Sequence, residues 1–340
     1  MQMKKIIGTD INNVKITSLS DVIGQIPVID ILRLYIRAHC NIRMTTGIPD
    51  VPFGPILFTG PSGTGKTMTV KAIHADLGNL HLIETNGEAV NKKSELFSIL
   101  INADMNTTVF IDESHGMNSK TQNLLLTALS EKILYVPTGQ SSGNSHSIPL
   151  ANFTMILATT HEYQLKDALR NRMRIHCRFE YYTEEELVEI VRQRIKPLNW
   201  KYESDDVLKM IAQRAKKTPR LALNRNLQTC WHVTQSHDRE LITIDDAKEA
   251  FSHLQIDAIG LDHLDRSYLN VLFECDKTSL GVLSSKLSLP GQTIQRVVEP
   301  YLLREGFIIK DKSLRMITQK GRKHVMTTSN QILEDTQHDH

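Results

Sequence analysis

The sequence predicts a parallel α/β sheet domain, followed by a small helical lid domain and a C-terminal winged-helix domain. Three short apolar segments, at residues 56–60, 107–111 and 153–160, alternate with helical patterns, as in a parallel sheet that is covered on both faces. From Thr183 the apolar spacing is helical. Residues 258–328 then show three helical patterns before two short strands, which is typical of a winged helix.

The expected domain boundaries follow these changes of pattern: residues 1–182 for the sheet domain, 183–257 for the lid, 258–328 for the winged helix and 329–340 for a flexible tail. With 40% hydrophobic and 23% charged residues, the 340-residue chain has the composition of a globular protein. No apolar run approaches the roughly 18 residues of a membrane span. The N-terminal residues lack a signal-peptide pattern, and the four cysteines are widely spaced. We therefore expect a cytoplasmic protein with reduced thiols and no membrane partner.

A glycine-rich loop follows the first apolar segment. The sequence GPSGTGKT, residues 60–67, fits the pattern G-x-x-x-x-G-K-[ST] and lies between a predicted strand and a predicted helix. Such a loop cradles phosphates with inward-facing backbone N–H groups, while its lysine reaches the β- and γ-phosphates and its hydroxyl holds Mg²⁺. The cofactors are therefore expected to be ATP and Mg²⁺. The residues of this segment that are predicted to bind them are Gly60, Gly63, Gly65, Lys66, Thr67 and Met68.

Two acidic residues end the second apolar segment. Asp112 is predicted to hold Mg²⁺ through water, and Glu113 to polarise the water that attacks the γ-phosphate. The alternative is a pair of solvated acids at a strand end. The phosphate loop upstream favours the functional interpretation of the two acids over this alternative. ATP hydrolysis is therefore the expected reaction.

Basic residues at 170–174 and a polar segment at 132–152 have two interpretations each. Arg170, Arg172 or Arg174 could act as an arginine finger, or could belong to a solvated basic helix end.

Residues 132–152 read as two short strands around a Gly/Ser-rich turn, and so as a projecting β-hairpin, although a surface loop would have a similar composition.

The winged-helix segment carries an excess of positive charge. The net charge of the whole chain is only +2, yet residues 304–323 hold seven basic and two acidic residues. Lysine and arginine in the wing predict contacts to DNA phosphates that give affinity without sequence readout.

Several segments occur together in one order: the phosphate loop, VFIDESH, ILATT, ALRNRMR, RFEYYTEEELVEIV, TPR at 218–220 and the winged-helix tail. This order resembles the RuvB family of Holliday-junction branch-migration motors, a branch of the AAA+ ATPases, over roughly residues 20–325. The segments TPRLALNR, GLDHLDR and EPYLLREGFI are more specific to this family than the phosphate loop is. Where the family usually has ATTRAG, this chain has ATTHEY.

The resemblance implies further roles. Thr160 would be a sensor of the γ-phosphate or the attacking water, Arg172 the finger that enters a neighbouring subunit's site, and Arg220 a second sensor contacting phosphates. The residues implied to line the nucleotide pocket or contact DNA are Ile23 and Gly24 around the adenine, Tyr182 in the pocket, and Lys310 and Arg315 in the wing. The resemblance also implies a homo-hexamer, branched or duplex DNA as a partner, and a RuvA-like junction-binding protein that contacts the hairpin.

Two other classes of protein remain open from the sequence. A clamp-loader-like or replication-loader ATPase would share the phosphate loop and the acidic pair, but such proteins usually carry a helical collar in place of the winged helix. A DNA-binding regulator that uses ATP only structurally would not need Lys66, Asp112, Glu113 and a candidate finger together.

Overall fold

The computed structural model describes residue 11 and residues 16–47, 51–137 and 145–327. Two compact units are present. The first comprises the described residues up to Asn199 together with Lys217–Asn224, and the second comprises Trp200–Lys216 and the described residues from Arg225 onward. The segment predicted as a lid, 183–257, is therefore divided between the two units. The predicted tail, 329–340, lies outside the described residues.

The first unit is built on a parallel sheet, as predicted. Its strands and those of a separate hairpin are β1 (Ile56–Thr59), β2 (His81–Asn86), β3 (Thr107–Asp112), β4 (Ile133–Pro137), β5 (Ser145–Pro149), β6 (Thr154–Thr159) and β7 (Ile175–Arg178). The sheet runs in the order β2–β3–β6–β1–β7, so β1, β3 and β6 are central and buried. The two strands that the sequence did not reveal, β2 and β7, lie at the edges, where exposed and buried residues alternate or mix.

Strands β4 and β5 pair antiparallel, from Ile133 opposite Pro149 to Pro137 opposite Ser145. The predicted β-hairpin is thus confirmed. The turn, residues 138–144, lies outside the described residues.

Helices cover both faces of the sheet. They are α1 (Ile26–Thr46), α2 (Lys66–Asp76), α3 (Lys93–Asn102), α4 (Ser119–Glu131), α5 (Asp167–Arg172) and α6 (Glu184–Leu198), with 3₁₀ turns at Leu19–Asp21, Ala89–Asn91, Ser114–Gly116 and Glu162–Gln164. Alternate strand residues enter two cores: Leu57 packs with residues of α3 and α4, whereas Ile56 and Phe58 pack with residues of α1 and α2. The sheet thereby holds β1, β3 and β6 side by side, with their carboxyl ends at one edge.

The second unit contains the remaining helices and strands. Its first part has α7 (Asp205–Gln213), α8 (Gln228–Ser236), α9 (Ile244–His253) and the short strands β8 (Lys201–Tyr202) and β9 (Leu241–Ile242), with a π-helical segment at Leu221–Leu227 that begins in the first unit. Its second part has α10 (His263–Cys275), β10 (Lys277–Ser279), α11 (Leu280–Leu287), α12 (Gly291–Thr293), a π turn at Ile294–Val298, α13 (Glu299–Arg304), β11 (Ile308–Asp311), β12 (Leu314–Ile317) and a helix over 319–327.

The winged helix is confirmed, with one strand more than the sequence indicated. β10 pairs with β12, which pairs with β11, so the wing is anchored by a three-stranded sheet. A capping box at Thr183 begins α6: the Thr183 hydroxyl accepts from the backbone N–H of Glu186, and the Glu186 carboxylate accepts from the backbone N–H of Thr183. The four cysteines are free, and across the described ranges no helix is long and apolar enough to cross a membrane.

Candidate active site

The phosphate loop joins β1 to α2 with the backbone that its glycines allow. Gly60, Gly63 and Gly65 have φ values of 138°, 78° and 93°. At Gly60 a Cβ atom would lie 2.4 Å from the carbonyl oxygen of Phe179, so this position excludes any side chain. Helix α2 begins directly after Gly65, which brings its N-terminal N–H groups to the loop. This arrangement fits a bound phosphate chain.

Lys66 is buried under the loop. Its Nζ donates to the carbonyl oxygens of Gly60 at 2.8 Å and Pro61 at 2.7 Å. Burial lowers the pKa of Lys66, while the nearby carboxylates of Glu113 and Asp112 act in the opposite direction. An anionic phosphate would give this desolvated ammonium a stronger partner than the two carbonyls.

Thr67 and Asp112 bring two oxygen atoms together at the start of α2 and the end of β3. The Thr67 hydroxyl donates to Asp112 Oδ2 at 3.4 Å, and the other carboxylate oxygen accepts from the backbone N–H of Glu113 at 2.8 Å. Hard oxygen donors beside a phosphate loop are the set that Mg²⁺ prefers, so these two residues could hold the ion.

Glu113 lies at the mouth of the cleft in a left-handed conformation, with φ at 42°. Its Oε2 accepts from the Thr160 hydroxyl at 3.1 Å, since β6 lies next to β3 in the sheet. Two histidines that sequence reasoning did not single out are also here: His115 Nδ1 lies 3.2 Å from Glu113 Oε2, and His161 Nδ1 lies 2.8 Å from Thr160 Oγ1. Their one signal in the sequence is their position, two residues after Glu113 and one after Thr160.

Tyr182 and Arg220 close the cleft around the loop. The Tyr182 hydroxyl donates to the carbonyl of Thr64 at 3.0 Å, and burial raises its pKa to about 12. Arg220 Nη1 donates to the Ser62 hydroxyl at 2.9 Å, which places a guanidinium directly over the loop. Both positions fit contact with a nucleotide.

The resulting cleft has a cavity volume of about 340 Å³, within the range of small-ligand sites. Its wall includes Ile23, Met68, Asp112, Glu113 and residues of the phosphate loop. Gly24 does not line it; instead, a Cβ there would lie 2.8 Å from Glu186 Oε1, so Gly24 permits close packing behind Tyr182. The wall also contains residues of α6 and the 217–224 segment that were not predicted from the sequence, which are Ile190, Gln193, Arg194, Leu223 and Asn224.

Arg172 does not line this cleft. Its Nη2 donates to the carbonyl oxygen of Leu129 at 2.7 Å, in the last turn of α4, where free carbonyls and the helix dipole favour a cation. Arg170 is paired with Glu162 and Asp167. Any function of Arg172 outside its own subunit stays a prediction.

The wing requires one correction. Arg315 is 2% exposed, and its Nε and Nη2 donate to the two carboxylate oxygens of Glu299 at 2.8 and 3.3 Å. The Tyr268 hydroxyl donates to the same carboxylate at 3.3 Å. The predicted DNA contact by Arg315 is therefore wrong, because its guanidinium is buried inside the winged helix and pairs with Glu299. Lys310, opposite Arg315 in the register of β11 and β12, is exposed and stays a candidate.

We expect Lys310→Ala and Arg315→Ala to have different effects. Lys310→Ala should weaken binding similarly for duplexes of unrelated sequence and lower the slope of log K against log salt by about one unit, because one phosphate contact is lost. Arg315→Ala should destabilise the winged helix by about 3–5 kcal/mol, because it leaves Glu299 buried without its partner. Salt-dependent DNA titrations test the effect of Lys310→Ala, and thermal denaturation tests the effect of Arg315→Ala. Lys248→Ala in α9 is the control for the loss of a positive charge. A Lys310 variant with an unchanged slope would show that this side chain does not touch DNA.

The phosphate loop after β1 is covered by an arginine from the 217–224 segment, and an acidic pair follows β3, two strands away in the same sheet. These features define the chain as an AAA+ ATPase. Three family models match it: the Holliday junction DNA helicase RuvB P-loop domain over residues 14–179, the RuvB AAA lid domain over 182–257 and the RuvB C-terminal winged helix domain over 258–326. The chain belongs to the RuvB family.

Relatives and solved structures agree with this membership. The Holliday junction branch migration complex subunit RuvB of Bifidobacterium adolescentis is 35% identical over 291 residues, which are 84% of this chain and 79% of the relative. The subunit of the same name from Wolbachia sp. is 32% identical over 315 residues, 92% of this chain and 94% of the relative. The structure of the Thermotoga maritima RuvB Holliday junction branch migration motor aligns with a TM-score of 0.76 at 29% identity, covering 92% of this chain and 98% of that one.

Proposed function

We propose that this chain is the motor subunit of a Holliday-junction branch-migration complex, and that it hydrolyses ATP to translocate duplex DNA in recombination and repair. The observation that carries the proposal is the presence of a formed ATP cleft and a winged helix in a chain whose relatives bear that function in their names. A winged helix binds DNA through phosphates, which suits a motor that must track any sequence.

We assign a separate role in hydrolysis to each of the main residues at the cleft. Lys66 and the loop N–H groups would hold the β- and γ-phosphates, Thr67 and Asp112 would hold Mg²⁺, and Glu113 would polarise the attacking water. When bound, the ion neutralises negative charge on the phosphate oxygens. The contact of Thr160 with Glu113 supports the proposed role of Thr160 as a γ-phosphate sensor, and the contact of Arg220 with Ser62 supports a role of Arg220 at the phosphates.

The proposal includes assembly. Arg172, the finger that the family resemblance implies, does not line the cleft of its own subunit, whose wall includes Arg194 and Arg220. A neighbouring subunit in a ring could supply the finger, and we propose a hexamer that shares sites in this way. The β4–β5 hairpin forms a two-stranded sheet of its own and is the proposed contact to a RuvA-like protein.

A clamp-loader-like or replication-loader ATPase is not favoured, because the chain has a winged helix where such proteins usually carry a helical collar. The direct test measures phosphate release without DNA, with linear duplex and with a four-way junction, each with and without RuvA. We expect hydrolysis to rise with DNA and rise further with junction and partner together, and to be lost in Lys66→Ala. Equal rates under all conditions would count against a DNA motor.

A further inference from the structure

Two histidine side chains lie beside Glu113 and Thr160, at the point where β3 and β6 end. The rings of His115 and His161 pack against each other with centroids 4.6 Å apart, and His161 also contacts the Tyr163 ring at 5.9 Å. His115 is only partly exposed, and burial lowers its pKa. A neutral imidazole carries one N–H, so the nitrogen that bears it decides which neighbour receives a hydrogen bond.

The contacts of Thr160 restrict the protonation of His161. The Thr160 hydroxyl has one proton, and its oxygen lies 3.1 Å from Glu113 Oε2 and 2.8 Å from His161 Nδ1. If the proton points to the carboxylate, the short contact to His161 is a hydrogen bond only when Nδ1 carries its own hydrogen and donates to Oγ1. The result is a chain of donors that runs from His161 to Thr160 and on to Glu113.

A similar argument applies to His115. Its Nδ1 lies 3.2 Å from Glu113 Oε2 and 3.2 Å from the hydroxyl of Thr159. A lone pair at Nδ1 would face an anionic oxygen at that distance, whereas an N–H there donates to the Thr159 hydroxyl and brings a partial positive charge to the carboxylate. Thr159 Oγ1 already accepts the backbone N–H of His161, which links the two histidine segments. His115 Nδ1 is therefore best assigned as carrying the hydrogen, which donates to Thr159 Oγ1 and lies beside Oε2 of Glu113.

Both histidine segments meet the carboxylate of Glu113 at one oxygen. Among the described residues, the hydrogen bond from Thr160 and the short contact from His115 Nδ1 both go to Oε2, and none goes to Oε1. Glu113 also lines the cleft. A carboxylate that is fixed through one oxygen presents the other in a defined direction, which is the geometry that a water-polarising group requires.

We propose that His115 and His161 are positioning residues for ATP hydrolysis: each carries an N–H at Nδ1, His115 beside the carboxylate of Glu113 and His161 bound to it through Thr160, and together they fix Oε2 of Glu113 and aim Oε1 at the attacking water. This inference rests on the proposed role of Glu113 in hydrolysis. Neither histidine lines the cleft, so both should act on kcat rather than on nucleotide affinity.

The test compares two amide substitutions at each histidine. Asparagine places its amide nitrogen where Nδ1 of histidine lies, whereas glutamine places it nearer the position of Nε2. We expect His115→Gln and His161→Gln to lower kcat about tenfold, with KM for ATP and the affinity for a fluorescent ATP analogue within about twofold. His115→Asn and His161→Asn should retain kcat within about threefold, because the donor remains.

A double-mutant cycle completes the experiment. In a Glu113→Gln background, the residual rate should change by less than about twofold when His115→Gln is added, because no water-polarising carboxylate remains to be fixed. Equal losses in the asparagine and glutamine variants would overturn the inference in favour of simple packing, and so would an unchanged kcat in the glutamine variants. If the unmodified chain and the Glu113→Gln chain hydrolysed ATP at equal rates, the role of Glu113 itself would fail, and the inference with it.

Discussion

Glu113→Gln is expected to lower the rate of ATP hydrolysis by about 10²–10⁴-fold while leaving ATP binding intact, because the amide cannot polarise the attacking water as the carboxylate does. The substitution preserves the size of the side chain. Phosphate binding by the glycine-rich loop and Lys66 does not require the carboxylate of Glu113. Single-turnover phosphate release measures the rate, and binding of a fluorescent ATP analogue measures the affinity.

The control is Glu95→Gln, an identical chemical change at an exposed position in the first turn of α3. It should hydrolyse ATP at the rate of the unmodified chain. A Glu113→Gln chain that retained hydrolysis within about threefold would contradict the assignment, since general-base groups contribute far more than that.

Mixing two inactive variants is expected to restore hydrolysis. Arg172→Ala should bind ATP but lose about 10³–10⁵-fold in rate, and Lys66→Ala should fail to bind ATP productively. In a ring formed from equal amounts of both, about a quarter of the sites would combine a Lys66 of one subunit with an Arg172 of the next, by random assembly. Phosphate release across mixing ratios should therefore peak near equal amounts.

The mixing experiment also separates a finger from a local structural role. Arg172 binds the Leu129 carbonyl at the end of α4, so its removal could loosen that helix end. A loosened helix would lower the thermal midpoint and would not be rescued by subunits that carry Lys66→Ala. Arg170→Ala, which removes a guanidinium held by Glu162 and Asp167, serves as the control and should stay active. Absence of recovery despite demonstrated co-assembly would argue against shared sites.

The central sheet and the phosphate loop could be predicted because their signals are local. Strands β1, β3 and β6 are continuous apolar runs since both of their faces are covered, and the loop has a fixed spacing of glycines and Lys66. Strands β2 and β7 could not be predicted from the sequence, because edge strands carry exposed polar residues, such as His81 and His176, that interrupt the apolar run.

The errors and omissions at the sites arise from contacts between distant segments. Arg315 has the sequence context of an exposed basic wing, but its partner Glu299 lies on another element, so only the fold reveals that the charge is buried. His115 and His161 are 46 positions apart and meet because β3 and β6 are neighbours in the sheet. The order of residues along the chain reveals neither the burial of Arg315 nor the contact between the two histidines.

The most direct test of the proposed function is the conversion of a synthetic four-way junction with homologous arms into duplex products, followed by gel electrophoresis. With RuvA and ATP, the chain should convert the junction, and neither Lys66→Ala nor a non-hydrolysable ATP analogue should support conversion. If the chain hydrolyses ATP but the junction remains intact at every concentration of chain and partner, then its ATPase activity does not drive branch migration, and the proposed function is wrong.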